Sequence, residues 1–113
     1  MRKKYETQET IDALDADKSN LLMEAAVLRG TGQPDEAIER YALAAPMEER
    51  IAAFYERQGD PIMAARSWFS AATCYAFSSN LWDALRILKK MDKNKATPAT
   101  YKGEILVLMG HLR

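Results

Sequence analysis

Apolar residues recur along this chain at helical spacing. Ile11, Leu14, Leu21, Ala25 and Leu28 fall on one stripe of a first helix predicted over residues 7–29, because positions three and four apart share a helix face. Asp15, Asp17 and Lys18 fall away from that stripe, and Ser19-Asn20 marks a place for a bend. The same spacing predicts a second helix over 35–45 (Ala37, Ile38, Tyr41, Ala45) and a third over 47–58 (Ile51, Phe54, Tyr55, Gln58). A fourth covers 61–78 with Ala64, Ala65, Trp68, Ala71, Ala72 and Tyr75, and a fifth covers 81–91 with Leu81, Ala84, Leu85 and Leu88. A sixth starts at Pro98 and carries Tyr101, Ile105, Leu108 and Leu112. Only the run Ile105 to Met109, taken alone, suits a strand as well.

The punctuation agrees with the periodicity. Pro34, Pro46, Pro61 and Pro98 each precede a helix-forming stretch, and proline suits a first helical turn, where its missing N–H has no intrahelical acceptor. Asp60 and Thr97 stand before two of these prolines as N-caps, and Asn80 caps the fifth helix. Gly30, Gly32, Gly59 and Ser78-Ser79 end the stretches before them. Connections this short force neighbouring helices antiparallel. The expected fold class is all-α: about six helices in antiparallel hairpins, forming one domain over residues 1–113 with residues 1–6 disordered. Abundant alanine and scarce valine point the same way.

Two segments align without gaps: Gly32-x4-Ala37-x3-Tyr41-x2-Ala44 and Gly59-x4-Ala64-x3-Trp68-x2-Ala71. In each, glycine turns the chain, the first alanine lets two helices approach closely, and the aromatic fills the space beyond it. Trp68-x2-Ala71-Ala72-x2-Tyr75, followed by Ala84-x3-Leu88, gives a helix pair in another frame. These residues resemble the tetratricopeptide repeat, across roughly residues 19–97. The resemblance implies a superhelix of helical hairpins whose groove holds a partner protein or peptide. Two departures stand against it. The aligned segments recur 27 residues apart, whereas this repeat recurs at about 34, and Trp68 serves two frames. A compact helical bundle with alanine and aromatic stripes as core is the alternative. Some repeats of the family grip a C-terminal carboxylate with Lys and Asn. The corresponding places fall near Leu22, Ala26, Glu49 and Ala53, which cannot do that work. Arg29, Glu49, Glu56 and Arg57 remain as candidate contacts to an internal peptide.

Charge adds a direction to this picture. The formal net charge is zero, yet residues 1–60 hold 8 basic and 13 acidic side chains while residues 61–113 hold 8 basic and 3 acidic. Arg86, Lys89, Lys90, Lys93, Lys95 and Lys102 gather on and after the fifth helix. An acidic protein partner is therefore expected near Arg86, Lys89 and Lys90, since such a field steers encounter. Nucleic acid is not expected, because the chain is neutral overall and no aromatic residue interleaves with the lysines.

Catalytic chemistry is scarce. One His (His111) and one Cys (Cys74) do not make a zinc site. Gly30-Thr31-Gly32 lacks the Gly-Lys-Ser/Thr that completes a phosphate loop. Asp15/Asp17 and Glu48/Glu49 are placed on polar faces, splayed apart. The expectation is a non-enzymatic interaction module with no cofactor and no metal. The single cysteine, expected to be a buried hydrophobe, fits a reducing, cytoplasmic setting. Met1-Arg2-Lys3-Lys4 is followed by no apolar core of the kind export needs. No apolar run approaches the ~20 residues of a membrane helix. Ile105, Leu106 and Met109 are expected to form an association face, against a second copy or a continuing solenoid, because the last helix is apolar on more than one side.

Overall fold

A computed structural model describes residues 6–112. Among them there is no strand, and five helices follow one another: α1 (Gln8–Gly30), α2 (Pro34–Arg57), α3 (Pro61–Phe77), α4 (Leu81–Lys93) and α5 (Ala99–Leu112). The ambiguous run Ile105 to Met109 is helical. Of the segment expected to be disordered, residues 1–5 lie outside the described residues, whereas Glu6 is ion-paired to Arg50 at 2.6 Å.

The count of six helices is corrected to five. The second and third predicted helices are one, with Pro46 inside α2. An interior proline removes the bond its own N–H would make and crowds the carbonyl four residues back, at a cost of about 3 kcal/mol. Starting a new helix at Pro46 would require a turn and a cap, and Ala44-Ala45 supply neither. Buried residues on both sides, Tyr41, Ala44 and Ala45 before it and Ile51, Ala52 and Phe54 after it, hold the helix on its neighbours. Likewise α1 runs unbroken through Ser19-Asn20.

Three turns are built alike. Gly32 (φ 76°), Gly59 (φ 72°) and Ser79 (φ 65°) take the left-handed conformation after the C-caps Thr31, Gln58 and Ser78. The next residue, Gln33, Asp60 or Asn80, sends its N–H back to Leu28, Tyr55 or Tyr75 at 2.8–2.9 Å. This is the Schellman pattern, which satisfies carbonyls that a helix end leaves without donors. The same residue opens the following helix: its carbonyl accepts from the N–H of Ala37, Ala64 or Ala84 at 3.2, 3.0 and 3.1 Å. The turns fall where the sequence placed the helix stops, at Gly32, Gly59 and Ser78-Ser79, and in the third of them Ser79 takes the left-handed place that glycine holds in the other two.

Each helix packs on its neighbours in the chain, and α5 also reaches α3. The main core is rich in alanine, with Ala25, Ala37, Ala44, Ala52, Ala71, Ala72 and Ala84 fully or almost fully buried. Tyr41, Trp68, Tyr75, Ile87, Leu88 and Ile105 supply its bulk. A smaller cluster of Ile11, Leu14, Ile51 and Phe54 closes the α1–α2 hairpin away from its turn.

Two sequence expectations about polar faces are corrected here. Glu48 is only 2% exposed, and Lys18 turns toward it with their charged atoms 3.5 Å apart, while Asp15 holds the same ammonium at 2.9 Å. Lys18 lies on α1 one turn after Leu14, close enough to the buried stripe for its long stem to reach inward.

Candidate functional site

Trp68 and Tyr75 lie two turns apart on α3 and share one face of it. Both are buried between α2 and α4. The Trp68 Nε1–H donates to Glu56 Oε1 on α2 at 2.6 Å, and Lys90 Nζ on α4 stands 4.4 Å from the centre of the indole ring. The Tyr75 hydroxyl donates to Glu49 on α2, which also accepts from Arg86 on α4 at 3.2 Å. Arg86 is further held by Asp83 at 3.4 Å. One face of α3 is thus bracketed by an acidic wall from α2 and a basic wall from α4.

The electrostatics follow from this bracketing. Burial raises the Tyr75 hydroxyl above its ordinary pKa, and its bond to the Glu49 carboxylate raises it further. Burial acts to lower Arg86, but Glu49 and Asp83 outweigh it and the guanidinium is held more firmly charged.

The groove opens toward the α2–α3 turn into a cavity of about 380 Å³, lined among others by Pro61, Ala64, Ala65, Trp68, Lys90 and Met91. Polar groups on its rim are engaged: Asp60 accepts from the Met63 N–H at 3.1 Å, Asn94 from the Ala96 N–H at 2.9 Å, and the Thr97 hydroxyl donates to the Met91 carbonyl at 2.8 Å. Its walls are the edge of the buried Trp68 indole, which the Lys90 ammonium covers, and small apolar side chains, a lining whose polarity suits an apolar group.

A second, polar cavity of about 260 Å³ lies between α1, α2 and α3, around Lys18, Glu48, Arg66, Ser67 and Ser70. Burial raises the pKa of Glu48, against the opposing hydrogen bond of Ser70 and the charge of Lys18. Burial also acts to lower Lys18, but Asp15 and Glu48 outweigh it, so its pKa ends above the ordinary value. The buried Cys74 thiol is pushed up to about 12, first by burial and then by Glu48. Such a thiol is inert at neutral pH.

Of the residues expected to contact a partner, Glu49, Glu56, Arg86 and Lys90 come together around α3, already engaged with one another or with its aromatics. Arg29 lies apart, at the α1–α2 turn, where it donates to the Tyr41 hydroxyl at 3.3 Å and stands 4.8 Å over the Phe77 ring. Arg57 is exposed at the last turn of α2. Lys89 points outward and makes no hydrogen bond or ion pair with any described residue. The expected association face is not one surface: Ile105 and Met109 are buried inside the chain, and Leu106 is exposed beside Val107. The sequence reading missed Trp82, which is 82% exposed on α4. Its signal was available, since Trp82, Arg86, Lys89 and Lys93 stand at i, i+4, i+7 and i+11.

Comparison of the chain with protein-family models, with curated proteins and with solved structures gave no match. Among the described residues no group of His, Cys, Asp and Glu side chains is arranged to hold a metal ion, and no helix is long and apolar enough to cross a membrane.

Proposed function

We propose that this chain is a non-enzymatic protein-interaction module of tetratricopeptide-like hairpins, which holds a peptide segment of a partner in the groove over Trp68. The observation that carries the reading is the cavity itself: an aromatic floor with alanine walls, between helices joined by tight turns. A site for one apolar side chain, flanked by a few polar groups, is how a rigid scaffold recognises an extended peptide.

Two further features support a repeat over a closed bundle. The backbone of α1 approaches only α2 among the described helices, whereas in a closed bundle first and last helices meet. The hairpins α1–α2 and α3–α4 also correspond at an offset of 47 residues. Ala25, Ala37, Tyr41 and Ala44 match Ala72, Ala84, Leu88 and Met91, and all eight are buried. The offset exceeds the usual ~34 because α2 continues past Pro46 to Arg57.

Peptides selected from a displayed random library on the intact protein test the reading. They should carry a shared apolar anchor and shift the Trp68 indole N–H resonance in nuclear magnetic resonance spectra. Selected peptides that leave Trp68, Lys90 and Asn94 undisturbed would refute the groove as their site. A second reading, self-association, is favoured by Leu106 and Val107, about 60% exposed side by side on α5. Replacing both with lysine should then abolish any concentration-dependent gain of mass in light scattering.

A further inference from the structure

Helix α4 turns Ala84, Ile87, Leu88 and Met91 into the core and presents an outer stripe of Trp82, Leu85, Arg86, Lys89 and Lys93. Trp82 is the most exposed of the large apolar residues described. Lys89 and Lys93 make no hydrogen bond or ion pair with the described residues, in contrast to Arg86, which Glu49 and Asp83 hold. A shallow basin of about 400 Å³ runs along the stripe. From Trp82 to Lys93 it measures roughly 16 Å at 1.5 Å per helical residue.

We propose that this outer face of α4 is a second docking surface, for an acidic peptide segment that lays one apolar side chain on Trp82 and carboxylates on Lys89 and Lys93. Charge complementarity carries the choice of occupant. The two lysines stand one turn apart with no ion-pair partner among the described residues, and an acidic segment supplies one. An exposed indole beside cations is an anchor of the kind that dominates interfaces. A long polyanion fits less well. The chain is formally neutral, and residues 6–60 carry 13 acidic side chains against 5 basic ones, so a nucleic-acid strand extending past the stripe meets repulsion. This surface is independent of the groove over Trp68, apart from Lys90, which borders both cavities.

The test uses the full chain and fluorescein-labelled synthetic peptides rich in Glu with one central Leu, followed by fluorescence anisotropy. A matched peptide with Ser for Leu, a single-stranded oligonucleotide and phosphatidylserine vesicles serve as rival probes. Lys90 is left unaltered, so that failure here and failure of the groove reading remain distinguishable. The Leu peptide should bind more tightly than every rival. Its affinity should fall about tenfold or more in Trp82→Ala, in Trp82→Gln and in Lys89→Glu/Lys93→Glu, and weaken with added salt. Lys95→Glu should leave it unchanged. All four variants alter solvent-facing side chains, and each should melt like the parent. Absence of binding, equal binding of the Leu and Ser peptides, indifference to Trp82→Ala and Trp82→Gln, or tighter binding of the oligonucleotide or the vesicles would each overturn the proposal.

Discussion

The indole N–H of Trp68 and the carboxylate of Glu56 are joined at 2.6 Å across the α2–α3 hairpin, so the largest side chain of the core has its only polar atom satisfied at the groove's edge. This separates two contributions that truncation usually merges. Trp68→Phe keeps most of the buried area and loses the bond, so it should cost about 1 kcal/mol. Trp68→Ala also leaves a cavity and should cost roughly 3–5 kcal/mol. Urea unfolding of the two variants measures both, and equal losses would mean that the hydrogen bond carries the residue's contribution.

The Lys18–Glu48 pair should respond asymmetrically. Lys18→Met leaves a buried carboxylate without its cation and should cost about 3–5 kcal/mol, whereas Lys18→Met/Glu48→Leu should return most of that loss. The pH dependence follows from the raised pKa of Glu48. The folded chain holds that proton more tightly than the unfolded one. Glu48's contribution is therefore most favourable below its unfolded pKa, near 4.5, and declines as pH rises through the folded value. Losing Lys18 should deepen that decline. Urea midpoints of the parent and Lys18→Met, compared at about pH 5 and about pH 8, check it.

On the alkaline side, Cys74, Tyr75 and Lys18 all hold their protons more tightly when folded. Cys74 contributes stability that is intact below its unfolded pKa of 9.0 and is lost as pH climbs toward about 12. Thermal melts should fall across that interval, and Cys74→Ala should flatten part of the fall. Thiol-directed labelling at neutral pH should be slow in the native protein and rapid once urea unfolds it.

Ser79 occupies the left-handed place that Gly32 and Gly59 occupy in the other two turns. A side chain there costs about 1–2 kcal/mol, partly offset because glycine loses more backbone freedom on folding. Ser79→Gly should therefore stabilise by about 0.5–1 kcal/mol, and Gly59→Ala should destabilise by a similar amount. A Cβ at Gly59 meets nothing within 4 Å, so backbone conformation alone sets its cost. Chemical denaturation of both variants measures the pair of opposite signs.

Helical periodicity made the apolar stripes legible, down to Ala64, Trp68, Ala71 and Tyr75 on α3. Pro46 misled because proline's preference for a first turn is local, while the packing that carries α2 through it comes from α1 and α3. Glu48 and Lys18 were misplaced for a related reason: each lies beside an apolar stripe, and only the partner across the hairpin turns it inward. Among the candidate contacts, residue type was a poor guide to availability. Glu49 and Glu56, expected to line a groove, and Arg86 and Lys90, expected at a separate basic end, instead meet around α3, and each is engaged inside the chain. Trp82 lies opposite Ala84 and Leu88 on α4, off the buried stripe, so the periodicity that marks the core does not single it out.

In three of the four connections a single residue, Gln33, Asp60 or Asn80, both closes one helix and opens the next, which leaves those joints no slack. Only the α4–α5 connection, with Asn94 to Pro98, is longer. Contacts between neighbouring helices dominate, so relative contact order is low and folding should be fast, with any of the first three hairpins able to nucleate it. The same economy sets the order of disassembly. Helix α5, terminal and on the one longer tether, can open without the rest, and its amides should exchange with solvent deuterium ahead of those in α3, where both neighbours must first let go.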